Sequence, residues 1–94
     1  MSHYEMMVIF KPQVAAEEVR KPLEVMEALV AQHKGKIEAV DDWGEKALSF
    51  VIKGHERGYY VVYQLAMERD QVARFTAKMN LDKEILRFLL VTKV

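Results

Sequence analysis

Residues 59–67 read YYVVYQLAM, a run of aromatic, β-branched and aliphatic residues that contains no glycine or proline. Such residues pack well on a pleated sheet, so this run is the clearest strand prediction in the chain. Residues 53–58 before it read KGHERG, and their two glycines can adopt positive φ angles. We therefore predict a hairpin loop over residues 53–58, which joins this strand to an earlier one.

Three further strands are predicted on either side of this hairpin. Residues 36–52 alternate before and after Gly44, where the glycine predicts a bulge or bend in one long strand. Residues 3–10 alternate with period two and end before Pro12, because proline removes a ladder donor. Residues 85–94 alternate in the same way and close the chain.

Two helices are predicted between the strands. Residues 15–34 carry one apolar stripe at helical spacing, followed by Gly35 as a C-cap. The stripe consists of Val19, Leu23, Met26 and Val30. Pro22 either kinks this helix or lies in the first turn of a helix that begins near Lys21. Residues 70–80 form the second predicted helix, with Val72, Phe75 and Met79 on one face.

The element order β-α-β-β-α-β predicts one α+β domain over residues 1–94 with the ferredoxin-like split βαβ fold. In this fold, two helices cover one face of a four-stranded antiparallel sheet. We expect the even-numbered residues of the first, second and fourth strands to face the helices. In the third strand, the odd-numbered residues should face them.

Composition excludes several classes of function. The chain has 94 residues and no cysteine, which rules out a disulfide scaffold, cysteine-ligated zinc, iron–sulfur clusters and thiol catalysis. Its 14 basic and 14 acidic residues cancel, which argues against a freestanding nucleic-acid binder. No apolar run approaches the ~20 residues of a membrane span and no signal-peptide pattern opens the chain, so we expect a cytoplasmic protein without a membrane partner.

The sequence contains no recognisable catalytic site. The three histidines, His3, His33 and His55, do not have metal-ligand spacing, and no glycine-rich phosphate motif is present. Asp41 and Asp42 are adjacent in a predicted strand, so their carboxylates point to opposite faces. We therefore predict no enzyme, no catalytic or metal-binding residue, no cofactor and no small-molecule substrate.

One short run has a partial likeness to an RNA-binding motif. Residues 57–62 read RGYYVV, similar to the start of an RNP1 stretch, in which two aromatic residues stack on RNA bases. The predicted register turns Tyr59 and Val61 toward the helices instead. This orientation argues against a base-stacking RNA-recognition motif.

The predicted sheet face away from the helices is apolar in its middle. Residues expected there and proposed to bind a partner are Met7, Ile9, Tyr60, Val62, Leu89 and Val91. From the second strand, Ala47, Ser49 and Val51 are expected on the same face. An apolar patch with a polar rim commonly marks an interface. Two alternatives remain: a one-residue register error, which would exchange the faces, and a homodimer contact.

Several motifs along the chain resemble the bacterial small-subunit ribosomal protein S6 family. They are Tyr4-Glu5, Pro12, Gly35, Asp42-Trp43-Gly44, residues 48–53 (LSFVIK), the run 58–67 and residues 87–93 (RFLLVTK). This resemblance implies a ferredoxin-like fold and a structural role in the small ribosomal subunit. It also implies binding to the central domain of small-subunit rRNA together with ribosomal protein S18, with the open sheet face as the binding surface.

Site residues can be carried over from the resemblance position by position. The implied RNA contacts are Lys46, Arg87, Lys93, Lys53 and Arg57. Trp43 is either an RNA or protein contact or packs over the bulge at Gly44. The family often has two basic residues after the Trp-Gly step and arginine near the N-terminus, where this chain has Glu45, Lys46, Ser2 and His3.

These departures lower the expected affinity of the chain alone for RNA. They fit one half of a heterodimer whose partner supplies basic charge. The alternative function is a ferredoxin-like homodimer that binds a small molecule or acts as an enzyme. The mass of the protein in solution at micromolar concentration would distinguish the two.

Overall fold

A computed structural model describes residues 1–12 and 16–93 of the chain. The elements are β1 (Ser2–Phe10), α1 (Ala16–Gln32), β2 (Lys36–Ile52), β3 (His55–Met67), α2 (Arg69–Leu81) and β4 (Ile85–Thr92). The strands form one sheet in the order β2-β3-β1-β4, and every neighbouring pair is antiparallel. The predicted element order and the α+β ferredoxin-like fold class are confirmed. Residue 15 of the predicted first helix and residue 94 of the predicted last strand lie outside the described residues.

The core lies between the sheet and the two helices. Its buried members are Tyr4, Met6, Val8 and Phe10 of β1, Val61, Tyr63, Leu65 and Met67 of β3, Met26 and Val30 of α1, Phe75 and Met79 of α2, and Ile85 of β4. The predicted faces of β1 and β3 are therefore confirmed. Leu23 packs against this core, as the predicted stripe requires. The side chain of Val19 lies outside those that the structure describes.

The first helix continues through its proline. α1 begins at Ala16 with Pro22 inside it, so the alternative start near Lys21 is wrong. Pro22 is buried, and its ring therefore adds apolar contact where it removes a backbone donor.

A Schellman motif ends α1. The N–H of Gly35 donates to the carbonyl of Val30 at 2.9 Å, and the N–H of Lys34 donates to that of Ala31 at 3.0 Å. The left-handed residue is Lys34, with φ of 58°, rather than the predicted Gly35. Gly35 is favoured for a different reason, because an added Cβ would lie 2.9 Å from Cγ1 of Val30 and 3.1 Å from the carbonyl oxygen of Ala66. The glycine therefore lets the end of the helix approach β3.

The β2–β3 connection is tighter than the sequence predicts. β2 runs to Ile52 and β3 begins at His55, which leaves a two-residue turn at Lys53 and Gly54 instead of a six-residue loop. Both turn residues have positive φ angles, 49° and 82°. This is the signature of a type I′ turn, whose twist matches that of the flanking strands.

The predicted facing of β2 is wrong before its first slip and again in its second half. Ile37 has an odd number, yet it lies opposite Leu65 and packs against the core. Pairing with β3 slips three times along β2, and the second slip lies at Gly44, whose φ is 79°. This slip confirms the predicted bulge. Each extra residue in a bulge exchanges the two faces of the strand that follows. Leu48, Phe50 and Ile52 consequently lie on the side of Met7 and Tyr60, away from the helices.

A second irregularity lies at the start of β4. Ile85 pairs with Phe10 and Arg87 pairs with Ile9, so Leu86 is the extra residue. Ile85 therefore faces the core, although its odd number predicts the opposite. Beyond the bulge, the predicted facing holds, since Phe88 and Leu90 pack against the core.

Candidate protein and nucleic-acid interface

The open face, the side of the sheet away from the helices, carries the six residues predicted to bind a partner. In the pairings of β1 with β3 and with β4, Met7 lies opposite both Val62 and Leu89. Ile9 lies opposite Tyr60 and Arg87, and Val91 lies opposite Glu5. Residues directly opposite in an antiparallel pair project to the same side. The structure therefore brings these six side chains together, as the sequence predicts.

Exposure on the open face is uneven. Leu89 is 58% exposed and Val91 is 45% exposed, whereas Val62 is only 8% exposed and Ile9 only 5%. The latter two lie on the central strands β1 and β3, where side chains of the flanking strands surround them. The exposed apolar surface therefore follows β4, with Ile9 and Val62 as its buried floor.

The end of the β2–β3 hairpin curls toward this face. We call residues 47–57 the hairpin arm. Together with the sheet, the arm encloses an apolar groove of about 250 Å³. The groove is lined by Met7, Ile9, Leu48, Ser49, Phe50, Ile52, Tyr60, Arg87, Phe88 and Leu89. Phe50 is 62% exposed at its edge.

Sequence reasoning missed the arm residues of this groove. A single alternation continued across the bulge at Gly44 predicts that Leu48, Phe50 and Ile52 face the core. The glycine and the acidic residues before it were the available signal. A bulge at that point reverses the faces, so the later apolar residues belong outside.

A glycine at the base of the arm allows its close approach. Gly58 is buried, and a Cβ added to it would clash with Cγ2 of Ile9. Its neighbour in space is Leu48, whose Cδ2 would lie 3.4 Å from the added atom. At the position where the arm meets the open face, there is therefore room for glycine but not for a residue with a Cβ atom.

Two of the five predicted RNA contacts share one cavity. Lys53 and Arg87 both line a cavity of about 320 Å³ between the end of α2, the hairpin turn and the start of β4. Nζ of Lys53 donates to the carbonyl of Ile85 at 3.4 Å. Arg87 also lines the apolar groove, so it lies between the groove and this cavity.

The other three predicted RNA contacts lie apart from that cavity. Nε of Arg57 donates to Oε2 of Glu45 at 3.0 Å, so this cation is partly neutralised. Lys46 holds its Nζ 5.4 Å from the ring centroid of Trp43, a cation–π contact. Lys93 is exposed six residues beyond Arg87, about 20 Å further along an extended strand.

The ring of Trp43 is fixed on the surface beside the β2 bulge. Its Nε1–H donates to Oδ2 of Asp41 at 2.8 Å, and the residue is 47% exposed. Asp42 accepts from the N–H of Gly44 at 3.0 Å and from the hydroxyl of Tyr59 at 2.5 Å. Burial and this carboxylate raise the pKa of Tyr59 to about 12. Trp43 is thus held beside the bulge by a hydrogen bond, and about half of its surface is exposed to solvent.

Within residues 1–12 and 16–93, no helix has the length and apolar character needed to span a membrane. Among the same residues, no three histidine, aspartate or glutamate side chains are grouped so that they could hold a metal ion.

Comparison with known proteins gives consistent matches over nearly the whole chain. A family model described as "Ribosomal protein S6" matches residues 3–92. "Small ribosomal subunit protein bS6" of Helicobacter pylori (strain ATCC 700392 / 26695) is 33% identical over 91 residues, which cover 97% of this chain and 64% of that protein. The protein of the same name from Campylobacter jejuni (strain RM1221) is also 33% identical, with 73% of its length covered. The chain thus spans slightly less than two thirds of the Helicobacter relative.

Solved structures agree with the fold. The crystal structure of 30S ribosomal protein S6 from Thermotoga maritima superposes with a TM-score of 0.88 and 25% identity, covering 98% of this chain and 87% of that one. The C-terminal domain of the MgtC protein from Mycobacterium tuberculosis has a TM-score of 0.60 at 10% identity, a likeness of fold alone.

Proposed function

The chain belongs to the ribosomal protein S6 family, and on this premise we propose that it is a structural protein of the cytoplasmic small ribosomal subunit. It binds small-subunit rRNA together with ribosomal protein S18. The observation that carries this proposal is an exposed apolar open face directly beside exposed cations. The combination suits a protein that meets another protein on one surface and RNA on the next.

The apolar groove and the exposed edge of the open face fit a protein partner. Leu89, Val91 and Phe50 expose aliphatic and aromatic surface, which gains free energy when another apolar surface removes it from water. RNA offers few such surfaces, because phosphates and sugars dominate its exterior. The groove, bounded by the hairpin arm, is a concave site for an apolar anchor residue of S18.

The cations beside the groove fit the RNA. Arg87 and Lys53 line one cavity, and Lys46 lies on β2 directly before the hairpin arm and is exposed. Because affinity for RNA depends mainly on phosphate neutralisation, a chain of zero net charge binds weakly alone. A partner with additional basic residues completes the surface.

A binding experiment tests this proposal. Filter binding or gel shift is performed with the central domain of small-subunit rRNA, using the chain alone, S18 alone and both together. We expect tight binding only for the pair, and much weaker binding to an unrelated RNA of equal length. Equal binding to both RNAs would contradict the proposal.

A pair of leucine variants tests the surface. Leu89 is 58% exposed on the open face, and Leu81 is 81% exposed at the end of α2. Leu89→Glu should prevent association with S18, since a buried carboxylate without a counter-ion costs several kcal/mol. Leu81→Glu is the matched control and should leave S18 binding unchanged. The free energy of unfolding of both variants should lie within about 0.5 kcal/mol of that of the wild type, as is usual for surface changes.

Val62 is unsuitable for that test. At 8% exposure it cannot take a charge without destabilising the fold itself. The alternative function, a homodimeric enzyme or small-molecule-binding domain, predicts a stable dimer of this chain at micromolar concentration. Size-exclusion chromatography with light scattering measures that mass directly, and our proposal predicts a monomer until S18 is added.

A further inference from the structure

The cavity between α2 and β4 combines two cations with a neutral amide. Lys53 comes from the hairpin turn and Arg87 from β4, although 34 positions separate them in the chain. Asn80 comes from the last turn of α2 and is exposed. We call this the α2–β4 cavity. Its volume of about 320 Å³ lies at the lower end of the range of small-molecule sites, which begins near 300 Å³.

The charges of the α2–β4 cavity favour an anion. Among the described residues, neither Arg87 nor Lys53 forms an ion pair. Lys53 uses one of its three donors on the carbonyl of Ile85, so two donors are available. The C-terminus of α2 contributes about half a negative charge, against two full positive charges from the side chains. A phosphate group is therefore electrostatically favoured.

The floor of the α2–β4 cavity offers little surface to a nucleobase. Met79, Ile85 and Leu86 form it, and each is at most 4% exposed. A base that enters a protein site usually stacks on an exposed aromatic or apolar face. Phe88 also lines the cavity, but it is half-buried and packs against the core. The other wall residues, Lys53, Asn80 and Arg87, are polar, and the amide of Asn80 can both donate and accept a hydrogen bond. A ribose hydroxyl has the same dual character.

From these observations we propose that the α2–β4 cavity binds one ribose–phosphate unit of RNA, with the phosphate against Lys53 and Arg87 and the 2′-hydroxyl against Asn80. The inference rests on the proposed function, since the RNA concerned is the small-subunit rRNA. It assigns a role to Asn80, which no sequence motif indicates. It also identifies the ribose as the group through which this surface distinguishes RNA from DNA.

Affinity measurements at several salt concentrations test the phosphate contact. The probe is the central-domain rRNA with saturating S18. We expect Lys53→Met and Arg87→Met each to weaken binding about tenfold and to reduce the slope of log affinity against log salt by about 0.7–0.9, the value for one phosphate contact. Lys36→Met, at the far end of β2, is the matched control and should bind within twofold of wild type.

The same measurements test Asn80. Asn80→Ala should weaken binding about three- to tenfold without a change in salt slope, because it removes no charge. Gln32→Ala is the matched control, another exposed amide at the end of a helix. Interference mapping with 2′-deoxynucleotides should then reveal at least one position that weakens wild-type binding but not binding of Asn80→Ala.

The outcomes separate this inference from the proposed function. Tight wild-type binding with Lys53→Met and Asn80→Ala unaffected would overturn the α2–β4 cavity as an RNA site and leave the proposed function standing. An Asn80 effect with no deoxy position that differs between wild type and variant would overturn the ribose assignment. Failure of the wild type and S18 together to bind the rRNA would overturn both proposals. Thermal unfolding of each variant within a few degrees of wild type shows that folding is retained.

Discussion

At the scale of single residues, the proposed interface depends on small side chains as much as on large ones. Gly58 has no positive φ angle, so its backbone does not require glycine. Its requirement is steric, since Ile9 occupies the space of a Cβ. Ile9 branches at Cβ and has little rotamer freedom with which to give way. The position therefore fixes the distance between the hairpin arm and the open face.

Gly58→Ala should destabilise the protein by about 1–3 kcal/mol, the usual cost of overpacking a filled site. The reason is the contact with Ile9, and the loss should appear as a lower midpoint in urea unfolding. Gly58→Asn should be worse, because a larger side chain meets the same obstacle. Unchanged stability of both variants would show that the arm can move away from the sheet without cost.

At the scale of elements, the β2–β3 hairpin is the part of the fold that creates the groove. Its turn is short and both turn residues have left-handed φ angles, so its geometry tolerates few residue types. Gly54 has φ of 82° and no heavy atom within 4 Å of an added Cβ. The constraint at Gly54 is thus conformational, whereas the constraint at Gly58 is steric.

Gly54→Ala should cost about 1 kcal/mol of unfolding free energy through backbone strain. For a domain of this size, that corresponds to a fall of about 4–8 °C in Tm. Gly54→Asn is the matched control and should recover most of the loss, since asparagine tolerates the left-handed region. Calorimetry of the three proteins distinguishes strain from steric conflict, because at Gly58 asparagine gives no recovery.

Sequence periodicity predicted this fold wherever one alternation runs unbroken. β1 and β3 have no inserted residue in their mutual pairing, and their core faces follow directly from even and odd positions. β2 slips three times against β3, and alternation carries no information on how many residues a bulge absorbs. The apolar residues of the hairpin arm were therefore assigned to the wrong face. The groove and the α2–β4 cavity depend on that arm, so neither could be predicted from the sequence.

The candidate site was predicted in part for the same reason. The six residues predicted to bind a partner lie on β1, β3 and the part of β4 that pairs with β1 without a slip, and the structure brings them together. Their exposure was not predictable, because Ile9 and Val62 are covered by neighbours that only the tertiary structure supplies. Among the basic residues, the meeting of Lys53 with Arg87 depends on the curl of the arm.

At the scale of the whole molecule, zero net charge conceals a separation of charge. Residues 22–52, which form most of α1 and all of β2, carry six acidic and three basic residues, a balance of −3. Residues 69–93, with α2 and β4, carry six basic and three acidic residues, a balance of +3. β2 and β4 are the opposite edges of the sheet. The β4 edge therefore presents a local positive field to a polyanion although the chain as a whole is neutral.

This arrangement places the proposed protein and RNA surfaces side by side on β4. Arg87 lines both the apolar groove and the α2–β4 cavity, whereas Lys53 lines only the cavity. A partner that fills the groove would limit the conformations of the Arg87 side chain before RNA binds. Less conformational entropy is then lost on RNA binding, which is a source of positive cooperativity.

Arg87→Met should therefore reduce the factor by which S18 increases RNA affinity, by about tenfold or about 1.4 kcal/mol of coupling free energy. Lys53→Met should lower RNA affinity by the same factor with and without S18, which makes it the matched control. By linkage, RNA must increase the affinity for S18 by the same factor as S18 increases the affinity for RNA. Calorimetry of both binding orders, S18 first and RNA first, therefore checks the result.

If Arg87→Met weakens RNA binding equally in the presence and absence of S18, Arg87 acts as a simple phosphate contact. Cooperativity between the two partners must then arise from contacts that S18 itself makes with the RNA.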